Sequence, residues 1–180
     1  MANQDSPFGL RAIGKIGQNR DNQGLAEFSI AASAGAIFGQ DPVEALATGT
    51  IGVAAAGDSL LGALNGVFFT DANTSKPTFA NHLLAGNTAT DIVGFVSSDP
   101  YERFEIQSDN TTASAQTDVF MNYDITYAAG STHDHLSGVE LDDSTLSSTS
   151  GQLRGVRASK DIKNNDFTAQ EADFVVIIVE

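Results

Sequence analysis

The chain has no cysteine and no tryptophan, four prolines, and only nine lysine and arginine residues. Lacking cysteine, it has no disulfides, thiolate nucleophiles, cysteine-based zinc sites or iron–sulfur ligation. Lacking tryptophan, and with only three tyrosines, it is poorly supplied with the stacking platforms of a sugar-binding site. The nine bases face 23 carboxylates, for a formal charge of −14. A field of that sign repels phosphate backbones and anionic membranes. No run of 18 apolar residues suggests a membrane-spanning helix, and the opening MANQDSPFGLRAIGKIGQ lacks the uninterrupted apolar stretch of an export signal.

What remains is 180 residues, enough for one domain with its own core, 41% hydrophobic and rich in glycine and small polar residues. Charge is unevenly spread. Positions 1–20 carry Arg11, Lys15 and Arg20 against Asp5 alone, whereas positions 21–153 carry Lys76 and Arg103 against 17 carboxylates. The opening segment is punctuated by Pro7, Gly9, Gly14, Gly17 and Gly24, and its apolar residues keep neither helical nor strand period for long. It reads as an extended arm over 1–24. The arm is either a disordered leader or a strap that orders on an acidic neighbour, with Phe8, Leu10, Arg11, Lys15 and Arg20 as its contact residues.

From residue 25 to 180 the pattern is of short strands and turns. Ala26, Phe28 and Ile30 alternate with Glu27 and Ser29, and the segment 42–71 reads as a meander of about three strands broken at Thr48-Gly49-Thr50 and Gly57-Asp58. Ile92 to Val96, apolar on both faces, predicts a central strand, and 102–107 one with a face to water. Phe174 to Val179 predicts a buried closing strand, Asp142 to Gly151 a polar loop, and Ser114 to Met121 the one weak helical candidate. The expected fold is all-β, a single antiparallel domain, with sandwich (jelly-roll-like) and smaller barrel both compatible.

Three motifs suggest chemistry. Gly9 to Lys15 has phosphate-loop spacing, but Ile16 stands where a magnesium-holding hydroxyl belongs, and no strand has room to precede it. Gly57-Asp58-Ser59-Leu60 matches the GDSL esterase tetrapeptide. That family's aspartate stands three residues before its histidine, yet Phe79, Gly130 and Thr132 stand three before His82, His133 and His135. His133 and His135 would share one side of a strand and could meet one ion, though a third ligand is not evident. The carboxylates form no calcium-loop spacing. No catalytic residue, metal or cofactor is assigned on these grounds.

The opening Ala2 to Arg11, Ile13-Gly14-Lys15, Gly17-Gln18-Asn19, Ala47 to Thr50, Ala54 to Asp58, Leu61-Gly62, Asn65 to Asp71, Asp99 to Glu102 and Phe104 to Gln107 together resemble structural proteins of marine tailed bacteriophages. Leu141 to Thr145 and Gln152-Leu153-Arg154 extend the likeness more weakly. The resemblance implies a virion component on the capsid (head) surface, a decoration or cement protein whose partner is the major capsid protein. With symmetric interfaces come a self-associated dimer or trimer and no direct nucleic-acid or membrane binding. A tail, collar or fibre component is the alternative within that class. A Ser59 esterase is the enzymatic one, and a glycan-binding groove lined by Tyr101, Tyr123 or Tyr127 a third.

Overall fold

The computed structural model describes residues 3–16, 25–109 and 113–179. Among the described residues twelve strands form two six-stranded sheets. The strands are β1 Arg11–Lys15, β2 Ala26–Ser29, β3 Pro42–Ala45, β4 Ile51–Val53, β5 Leu60–Thr70, β6 Pro77–Ala80, β7 Val93–Ser97, β8 Glu102–Gln107, β9 Asn122–Thr126, β10 Glu140–Ser147, β11 Leu153–Ala158 and β12 Asp173–Ile178. One sheet runs β1-β8-β12-β11-β9-β10; the other runs β2-β7-β5-β3-β4, with β6 also on β5. Every strand pair is antiparallel. The sheets pack together and neither closes, so the fold is a β-sandwich and the barrel alternative falls away.

Two apolar cores result. The first packs Phe104, Ile106, Tyr123, Ile125, Leu141, Leu153, Phe174 and Val176 of the first sheet against Ala54, Leu60 and Ala63 from the second. The second gathers Val43, Ile51, Leu64, Val67 and Val96 under the loop residues Ile37, Leu83, Ala89 and Ile92. Gly94 permits this second core, since a Cβ there would lie 3.0 Å from both Ile30 and Ile51 side chains.

The meander over 42–71 is β3–β4–β5, and β7 lies inside its sheet between β2 and β5. Four expectations differ. β8 buries both faces, with Glu102, Glu105 and Gln107 all under 9% exposed. The cause is local bonding: Glu105 accepts from Arg11 and the Ser159 hydroxyl, Gln107 bonds Gln4, Ser6 and Glu171, and Glu102 accepts from the Gly14 N–H. The last strand, β12, does not close an edge but lies between β8 and β11. Asp142 to Ser147 belongs to β10, an edge strand whose alternate polar side chains face water, so polarity did not forbid it. The helical candidate is a single 3₁₀ turn, Gln116–Asp118, where the Asp118 carboxylate accepts from the Ala115 N–H at 2.6 Å.

Candidate functional site

Residues 3–16 are built into the body. Leu10 is fully buried in the first core, and its N–H donates to the Gln40 carbonyl at 2.9 Å. Gly9 before it has φ +73°, and a Cβ there would fall 2.4 Å from the Gln40 oxygen, so only glycine fits this close approach. The Arg11 guanidinium lies over the Phe8 ring, 4.5 Å from its centroid, and pairs with Glu105 and, at 3.7 Å, Asp161. Lys15 pairs with Asp99, and that hydrogen bond holds the Asp99 carboxyl below its ordinary value. The expected strap residues Phe8, Leu10, Arg11 and Lys15 therefore make contacts within their own chain. Arg20 lies outside the described residues.

What this segment does offer outward is the far side of β1, an end strand of the first sheet. Ile13 is 40% and Ile16 48% exposed. The Ile16 N–H donates to the carbonyl of Tyr101, whose side chain is 67% exposed. Among the described residues no strand pairs with this edge of β1, which adjoins a small apolar group.

The other candidates are separated. Ser59 is exposed in a turn whose Asp58 carboxylate accepts from the Ala55 N–H at 2.8 Å. Gln152 closes that turn, donating to the carbonyls of Ala55 and Asp58 at 2.9 and 2.7 Å while accepting from the Ile125 N–H, and so ties the two sheets together. Asp58 and Ser59 act here as turn residues. His133 and His135 do not share a strand face: His133 is exposed in a turn, while His135, at φ +59°, stacks on His82 with ring centroids 3.6 Å apart and on Phe38 at 6.5 Å. Parallel stacked rings present faces, not lone pairs, to one another, which does not suit a shared ion. Burial, then the neighbouring His135, holds the His82 imidazole below its usual value. Tyr123 is fully buried, its hydroxyl donating to the Asp118 carbonyl at 2.8 Å, so it lines no surface groove.

One constellation was not anticipated. Carboxylate oxygens of Asp5, Glu140 and Glu171 lie within 4.8 Å of one another. Asp5 is placed by its neighbours: the Gln4 N–H donates to Asn164 Oδ1 and the Ser6 N–H to Gln107 Oε1, each at 2.8 Å. The buried Gln107 amide returns bonds to the carbonyls of Gln4 at 2.8 Å and Glu171 at 3.3 Å, so one side chain joins the first and last parts of the site. Glu140 opens β10. Glu171 sits just before β12 at φ +60°, in the left-handed region that costs a non-glycine residue energy. Burial first, then the charges of Glu171, Asp5 and Asp109, push the Glu140 carboxyl up to about 7. Burial, then Asp5, Asp109 and Asp143, raises Glu171 as well. No sequence spacing could reveal this group, because its members come from three distant segments.

The chain matches no protein-family model, no curated protein and no solved structure.

Proposed function

We propose that this chain is a virion structural protein of the head-decoration type, which binds the assembled shell of a major capsid protein and stabilises it without chemistry. The observation that carries the reading is the exposed edge of β1, with Ile13, Ile16 and Tyr101 beside it. Such an edge adds a strand from a neighbour through main-chain hydrogen bonds, while the flanking apolar groups supply the contact area. The resemblance to phage structural proteins, carried chiefly by the first 110 residues, points to the shell as that neighbour. The net charge of −14 suits a surface kept off packaged DNA. Binding to the closed lattice and not to free subunits stabilises the lattice by linkage. Self-association of the body into a dimer or trimer belongs to this proposal.

Removing the first 20 residues would not test it, since that also removes Leu10 from the core and β1 from the sheet. The double variant Ile16→Lys, Tyr101→Ser is the cleaner probe, because both side chains are exposed. It folds with its melting temperature within a few degrees of the parent and no longer co-sediments with purified capsid shells. Undiminished co-sedimentation of the folded variant rejects the edge as the docking surface. Failure of the parent chain to bind or stabilise shells rejects the decoration role itself.

A further inference from the structure

The geometry points to a calcium site formed by Asp5, Glu140 and Glu171, distinct from the β1 edge and independent of the function proposed above. Glu171 carries the argument. It is 6% exposed, and both its carboxylate oxygens are buried with no hydrogen-bond partner. A buried carboxylate without donors is strongly disfavoured unless a cation answers it or it takes up a proton, and a cation would serve all three acids of this group at once. The ion pairs among the described residues involve Arg11 and Lys15 with Glu105, Asp161 and Asp99, so no lysine or arginine answers Glu171. The group facing it is instead two further carboxylates, Asp5 and Glu140, with Asp109 and Asp143 adding to the negative field. Side chains that repel one another are held together here by a strained backbone at Glu171 and by the Gln107 and Asn164 amides.

The spacing fits a single ion. Calcium binds oxygen at about 2.3–2.6 Å, so two of its ligand oxygens stand at most about 5 Å apart. The oxygens of this group, one from each residue, lie within 4.8 Å of each other. The donors are all hard carboxylate oxygens, with neither sulfur nor imidazole, which selects against zinc and copper. Magnesium asks for a tighter octahedron at about 2.0–2.1 Å and gives up its waters reluctantly, whereas a looser set drawn from three segments suits the larger ion. The bound ion would fasten the segment before β1 to the first residue of β10 and to the turn before β12, supplementing the hydrogen bonds of Gln4 and Ser6.

The test uses the full chain, calcium chloride against chelator, and constant ionic strength. Calcorimetric titration with calcium gives a saturable binding heat. Calcium at a hundredfold excess over its dissociation constant raises the melting temperature by roughly 5–10 °C. Magnesium at the same concentration gives a smaller shift. Glu171→Gln loses the binding heat and the shift, and without calcium it melts no lower than the parent, because an unpaired buried charge has gone. Asp5→Asn, at an exposed position, loses most of the response and provides a second variant should the first fold poorly. Asp134→Asn, exposed and outside the cluster, keeps it. The site is rejected if millimolar calcium gives neither heat nor shift, or if the full response survives in Glu171→Gln or Asp5→Asn. A magnesium shift as large as calcium's overturns the choice of ion.

Discussion

At the scale of single residues, this protein uses polar side chains as fasteners. Gln107 and Gln152 are both buried, and each amide satisfies backbone groups from segments remote in sequence. His82 is different, since burial, and then the neighbouring His135, favours the neutral ring. Its folded value lies below the ordinary 6.5, so the unfolded chain takes up the proton more readily than the folded one. The stabilisation is thus complete above about pH 6.5 and is lost as the pH falls below that toward the lowered value. Urea unfolding of the parent and of His82→Gln at pH 7.5, 6.5 and 5.5 shows this as a difference. The parent's stability declines more steeply with acidification than the variant's, while the carboxylates common to both cancel. Parallel pH profiles would remove His82 from the account.

At the scale of elements, strands with uninterrupted alternation or solid apolar runs were legible: β2, the β3–β4–β5 meander, β7 and the last strand. Those that were missed have two physical causes. β11 alternates Leu153 and Gly155 inward, but a bulge between Gly155 and Arg157 breaks its period, and β1 has the same fault between Ala12 and Gly14. β9 and β10 are polar because side chains complete their ladder, as when Thr145 Oγ1 accepts the Asp124 N–H at 2.9 Å. The docking of residues 3–16 onto the body was not legible for a related reason: the deep anchor of that segment, Leu10, precedes the strand and does not alternate within it. Leu10→Ala should therefore cost about 2–5 kcal/mol by leaving a cavity in the first core. Ile13→Ala, on the exposed side, should stay within about 0.5 kcal/mol. Equilibrium urea denaturation of the two variants measures the contrast, and equal effects would mean that the segment is not docked.

For the whole molecule, the charge total was plain from the sequence but its placement was not. The Asp5, Glu140 and Glu171 group exists only because β1, β10 and β12 share one sheet and their leading segments converge. With the rest of the 23 carboxylates they make a field of one sign, and self-repulsion opposes compactness. Raising sodium chloride from about 0.01 M to about 1 M shortens the screening length from ~30 Å to ~3 Å. It weakens the pairs of Arg11 and Lys15 too, but partly exposed pairs contribute only about 0–1 kcal/mol each. With more than two acids for every base, relief of repulsion prevails, and the melting temperature should climb gradually with salt. That climb should be the same in Glu171→Gln, since a diffuse field barely registers one carboxylate, whereas a response to calcium saturates and needs that residue. A melting temperature that falls with sodium chloride would mean that the few ion pairs outweigh the field.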